Sequence, residues 1–324
     1  MRNAALGEVL KVWLYAGCTV LLGAWLAPLV YDAGKALSEV SSSKQINAPI
    51  HSLADHCRSS DFPDFYRASL LLAAALLLPP FSDWLACRRA GGFRKLFGLA
   101  RPTRDASSNS LICNSLGIRQ GLYGFASVTA LFLMVTTVMA LSGMDDWKSP
   151  PENLPSLALN LLAGALVHAF FQEILFRGIA LSVFLKALPA RAALAMSACL
   201  FALIQFSLNP LQLNVHDPEA SHTGLELLGE IFAQLKHFHT ALASFIPLLI
   251  FGAVLGYARL RTASLWLPIG LHAAVLFSTS LSAAITHAGT ASSLTSMIWL
   301  AAISAIGLII HHLPPQLHAA EAPP

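Results

Sequence analysis

Apolar residues run along most of the chain in long stretches separated by short polar ones. Stretches of about 18 or more mostly apolar residues, enough for a helix to cross a hydrocarbon core of about 30 Å, fall at about 9–31, 66–86, 122–141, 157–185, 192–208, 240–258, 264–285 and 293–311. Inside a bilayer the backbone polar groups must pair within the segment, so stretches of this length read as helices. The pattern predicts an all-α, polytopic integral membrane protein with about eight transmembrane helices. The first stretch is longer than the apolar region of a signal peptide and no A-x-A-like site follows it, so it is read as a retained helix. The expected organisation is 1–121, two helices and a basic loop; 122–285, a core of helices; and 286–324, a last helix and a proline-rich tail.

Composition supports this pattern. The chain is 56% hydrophobic and 11% charged, where a soluble domain carries roughly 25% charged residues. The charges between the apolar stretches alternate in sign. The stretch 87–121 holds Arg88, Arg89, Arg94, Lys95, Arg101, Arg104 and Arg119 against Asp105, and later connections hold Lys186, Arg191, Arg259 and Arg261 with no acid. The opposite connections carry Asp32, Glu39, Asp55, Asp61 and Asp64, then Asp145, Asp146 and Glu152, then Asp217, Glu219, Glu226 and Glu230. By the positive-inside rule the basic loops, and with them both termini, are expected on the cytoplasmic side. The net charge of +3 is then a topology signal, and no nucleic-acid partner is expected. This orientation has a direct test. In intact cells an impermeant thiol reagent should label a Ser221→Cys variant and not a Ser108→Cys variant; labelling of the Ser108 variant alone would sink the orientation.

Five cysteines, Cys18, Cys57, Cys87, Cys113 and Cys199, are scattered without a CxxC pair, so neither a disulfide framework nor a zinc site is indicated. No cofactor and no metal is expected.

Ionisable and amide side chains inside an apolar stretch require a reason, because a charge in hydrocarbon is costly unless paired or facing water. "AFFQEILFRG", residues 169–178, contains Gln172, Glu173 and Arg177. The Leu188-Pro189-Ala190 turn makes the fourth and fifth stretches an antiparallel hairpin, with Gln172 17 positions before Pro189 and Gln205 16 after it. Both amides should therefore lie about 20 Å from the turn, and His272, counted from Arg261, about 16 Å deep. Each residue alone has a packing explanation. Glu173 and Arg177, four apart, can form an intrahelical ion pair, and an amide such as Gln205 can bond one helix to another. His272 can be a satisfied packing residue, as can His168, one turn before Gln172 on the same face. Their shared depth is what singles the group out.

With these residues in view, "QEILFRG" resembles the E-E-x-x-x-R helix of the CAAX prenyl endopeptidase and bacteriocin-processing family, also called the Abi or CPBP family of intramembrane endopeptidases. "FALIQF" at 201–206 falls where that family has F-x-x-x-H, and "LGYARLRTASLWLPIGLHAAVL" at 255–276 resembles its last motif, H-x-x-x-N or a variant. The resemblance covers about 156–285 and implies hydrolysis of peptide bonds in a hydrophobic or membrane-associated peptide or protein, within a lipid bilayer. The expected location is the cytoplasmic (inner) membrane of a bacterium. The resemblance also implies roles: the first Glu and the second-motif His activate water, while the last-motif His and Asn stabilise the oxyanion.

Three of those four positions depart from the family pattern: they hold Gln172, Gln205 and Leu276, and only His272 is kept. A carboxamide can donate and accept hydrogen bonds but cannot take up a proton at neutral pH. One reading is a family member whose chamber survives while hydrolysis is impaired or lost, Glu173 serving to hold Arg177. A second is an active protease in which Glu173 acts as base with His168 or His272; because Glu173 is rotated about 100° from Gln172 on a helix, this requires a shifted cavity. A third, from another class, is a non-enzymatic membrane peptide-binding or transport protein, which the absence of an inverted repeat disfavours.

Overall fold

A computed structural model describes residues 2–43, 47–85, 117–143, 147–148, 153–208, 215, 217–262 and 264–286. They form α1 (Arg2–Ser43), α2 (Ala48–Ser59), α3 (Phe62–Trp84), α4 (Gly117–Leu141), α5 (Leu154–Glu173), a π-helical segment (Ile174–Ala180), α6 (Leu181–Ala187), α7 (Ala190–Leu208), α8 (Thr223–Ala233), a 3-10 turn (Gln234–Lys236), α9 (Phe238–Thr262) and α10 (Trp266–Ile285). Seven helical stretches among the described residues are long and apolar enough to cross a membrane, with α5 to α6 counted as one. They coincide with the first seven apolar stretches, and the protein is an all-α integral membrane protein. The eighth expected span at 293–311, most of the basic loop 87–121, and Asp145, Asp146 and Glu152 lie outside the described residues.

The helices group into two compact units. One contains α4, α5, the π segment, α6, residues 190–199 of α7, residues 249–262 of α9, and α10. The other contains α1 from Leu6, α2, α3, residues 200–208 of α7, α8 and residues 238–248 of α9.

In the unit built on α1 and α3, the two helices approach closely. A Cβ at Gly23 would sit 2.7 Å from the Leu70 Cα. Ser69 Oγ donates to Gly23 O at 2.7 Å, and Tyr15 OH donates to Ala74 O at 2.8 Å. These bonds spend side-chain donors on carbonyls of the neighbouring helix, a frequent means of joining helices where water is scarce. Val20, Ala24, Ala27, Tyr66, Leu70, Phe206, Leu227 and Ile231 form its core.

α1 runs 42 residues, about 63 Å at 1.5 Å per residue, far more than a span needs. The apolar stretch ends near Tyr31, but the helix does not, because tertiary contacts hold its polar continuation. Lys35 Nζ donates to the carbonyls of Cys57 and Ser60 at 3.1 and 2.8 Å, covering the C-terminal end of α2, and Arg58 Nη2 donates to Ser38 O at 3.2 Å. α3 starts where Asp61 and Asp64 form a reciprocal capping box, with a proline in its first turn; both are strong helix-start features.

In the other unit α10 packs on α4 through glycines. Gly117 and Gly121 face Trp266, and a Cβ on Gly121 would lie 2.9 Å from the Trp266 carbonyl oxygen. A Cβ on Gly270 would overlap the Gly121 carbonyl oxygen. Small residues let helix backbones meet, which yields the close packing that stabilises helix pairs in lipid. Gly270→Ala should therefore lower stability by about 1–3 kcal/mol, the usual cost of overpacking, read from denaturation in detergent. Unchanged stability would mean that α4 and α10 do not meet there.

Candidate active site

The site is built on the unit that carries α5 and α10. α5 brings in Gln172 and Glu173 at its end, both buried in protein, with Gln172 4% exposed and Glu173 wholly enclosed. Immediately after Glu173 the helix widens into the seven-residue π segment, which carries Arg177. A π turn inserts an extra residue per hydrogen-bonded ring and re-aims the side chains around it, a device often found at functional sites. Ser197 Oγ of α7 donates to Phe176 O at 3.4 Å. Beyond the segment, α6 ends at Ala187 and α7 starts at Ala190, so the hairpin turn lies at Leu188–Pro189.

Glu173 Oε1 is the centre of the arrangement. It accepts from Arg177 Nη1 at 2.8 Å and contacts His272 Nδ1 of α10 at 2.7 Å. Arg177 Nη2 donates to Gly252 O of α9 at 3.0 Å. Glu173, Arg177 and His272 are each 0–1% exposed. One carboxylate thus joins the motif helix to α10 and, through the guanidinium, to α9. A buried charge is tolerable when it is paired and hydrogen-bonded; a guanidinium and an imidazole N–H on one carboxylate oxygen supply that. The second oxygen, Oε2, is buried and accepts no hydrogen bond among the described residues. A buried acceptor of this kind suits one donor, such as a water or a peptide N–H.

With Nδ1–H donating to the carboxylate, His272 has its basic lone pair on Nε2, the usual consequence of an orienting carboxylate. Two rings fix the imidazole plane: Phe251 stands edge-on at 5.5 Å between centroids, and His168 edge-on at 6.4 Å. Leu276 is half-buried one turn further along α10.

Gln172, Glu173, Arg177 and His272, with His168, therefore belong to one unit. Gln205 belongs to the other, where it is buried on α7 at 8% exposure, beside core residue Phe206. Two participants were not evident in the sequence. The Gly252 carbonyl leaves no side-chain signal, and the π segment follows no compositional rule. Among the described residues no group of three or more His, Cys, Asp or Glu side chains is placed to hold a metal ion.

Residues 154–278, which start at the first residue of α5 and reach into α10, match the family model described as Type II CAAX prenyl endopeptidase Rce1-like. No curated protein and no solved structure matches the chain significantly. The match takes in all three motif blocks, from the helix of Gln172, Glu173 and Arg177 to the one carrying His272. Over residues 154–278 the chain is thus similar to the type II CAAX prenyl endopeptidase Rce1-like family, a likeness consistent with the CPBP intramembrane endopeptidases.

Proposed function

We propose that this protein keeps the chamber of a CAAX-type intramembrane endopeptidase and binds a hydrophobic, membrane-associated peptide segment with hydrolysis impaired or lost. The observation that carries this reading is the engagement of Glu173: its Oε1 already holds Arg177 and His272 at 2.8 and 2.7 Å. In this arrangement the Glu173 carboxylate pairs a buried guanidinium and orients an imidazole, a structural use of the charge. The two positions that the family uses to activate water carry Gln172 and Gln205, and neither amide can serve as general base. Gln172, Gln205 and His272 are each buried in protein. In this reading Glu173 is a positioning residue that sets the His272 tautomer. The partner is a hydrophobic peptide or protein segment in the bilayer, reached from an inner membrane with both termini cytoplasmic.

Purified protein mixed with a lipidated or hydrophobic peptide that active relatives cut should bind it, seen by fluorescence anisotropy, and return it intact by mass spectrometry. Rapid cleavage would overturn the reading. One observation favours the second reading, an active protease with Glu173 as base and His272 as its partner: the Glu173 carboxylate lies 2.7 Å from His272 Nδ1. The two part at Glu173→Gln, which abolishes cleavage in an active enzyme and leaves an inactive one as it was.

A further inference from the structure

The end of the α5–α10 unit where chain turns join α6 to α7 and α9 to α10 concentrates positive charge. A Cβ on Gly256 of α9 would lie 2.5 Å from Leu194 Cδ1 of α7. The two helices run antiparallel, so Arg259, three residues after Gly256, and Arg191, three before Leu194, lie at one level. Lys186 closes α6 just before the turn to α7, and Arg261 follows Arg259 on the last turn of α9. The start of α4 joins this end, since a Cβ on Gly117 would lie 2.5 Å from Trp266 Cδ1 and 3.1 Å from Ser264 Oγ; this brings Arg119 along.

Five cations thus stand at one end of the unit. Among its described residues the only acid is Glu173, which is enclosed and engaged by Arg177 and His272. Helix termini do not compensate either: α4, α7 and α10 begin here and α6 and α9 end here, so the partial charges of the termini leave a small positive excess. Moreover, the Nε of Arg259 is buried and has no hydrogen-bond partner among the described residues. A buried guanidinium donor without a partner is expensive, and the fit for a forked guanidinium donor is a phosphate or carboxylate oxygen.

We propose that this basic end is a binding site for a phosphate group, supplied by the headgroup of an anionic phospholipid in the leaflet it faces. Arg259 Nε is the buried donor, and Arg119, Lys186, Arg191 and Arg261 stand at the same end of the unit. Basic pockets between spanning helices at headgroup level are suited to such lipids, each cation near the surface adding to the attraction. The proposal does not depend on whether the protein hydrolyses peptides.

The test uses the full-length protein in nanodiscs of phosphatidylcholine doped with phosphatidylglycerol. Native mass spectrometry and a fluorescent phosphatidylglycerol probe should show preferential retention of the anionic lipid. Arg191→Gln and Arg259→Gln should each weaken it about fivefold, while Arg259→Lys should retain most of the affinity. Arg191 is exposed, so its variant reports even where Arg259→Gln is poorly folded. Equal retention of both lipids, or unchanged retention in the Arg191→Gln variant, would overturn the proposal. Full displacement of the lipid by millimolar inorganic phosphate would overturn the lipid assignment in favour of a soluble phosphate.

Discussion

Gln172→Glu combined with Gln205→His is expected to raise peptide cleavage by about 10²- to 10⁴-fold over the unaltered protein, the usual contribution of general-base participation. Both positions are buried, at 4% and 8% exposure, and glutamate and histidine are close in size to glutamine, so the exchange changes proton affinity more than volume. Each single change should give much less, because the family pattern implies that the two positions activate water together. The gain should be partial. Leu276 offers no hydrogen bond where the family has an oxyanion donor, and loss of one such donor costs about 10²- to 10³-fold. Leu276→Asn should therefore add a further increase only in the double-variant background. The measurement is initial rate against a peptide cut by an active relative, followed by mass spectrometry. A double variant no faster than the starting protein, with the helical content intact, would show that the two amides are not what limits hydrolysis.

Glu173→Ala is expected to destabilise the fold by about 3–5 kcal/mol, the range for removing one partner of a buried ion pair. The loss follows from the geometry: Arg177 is wholly buried and would lose its carboxylate partner, and His272 would lose the oxygen 2.7 Å from Nδ1. Removing both charges with Glu173→Leu and Arg177→Met should recover much of the loss, because an apolar pair of similar volume avoids the desolvation that the ion pair must offset. Chemical denaturation in detergent, with the three variants side by side, reads this directly. A Glu173→Ala variant as stable as the parent would mean that the Glu173–Arg177 pair does not hold the helices together. The double change should leave His272 without its orienting carboxylate, so it separates the structural role of Glu173 from its effect on the imidazole.

The location of the seven described spans was legible in the sequence, because hydrocarbon imposes a length and an apolar composition on any helix that crosses it. The family resemblance was legible too, since "QEILFRG", "FALIQF" and "LHAAVL" occur in order and residues 154–278 match the family model. What the sequence could not supply is which face of each helix meets which neighbour. Lipid is as apolar as a protein interior, so buried and lipid-facing positions carry the same residue types: Leu122 of α4 is exposed while Val128, of the same chemistry, is buried. The contact between Glu173 and His272 joins positions 99 apart, a closure that no local pattern encodes. Only the packing of α4 against α10 made Gly121 and Gly270 more than weak points in two helices. The same holds for α1, whose helix outlasts its apolar stretch because Lys35 and Arg58 bind it to α2; helix length in a folded protein is set more by such tertiary contacts than by propensity. The π segment after Glu173 is likewise a tertiary outcome: the residues Ile174–Ala180 suit an ordinary α-helix, and the pairing of Glu173 with both Arg177 and His272 accompanies the widened turn.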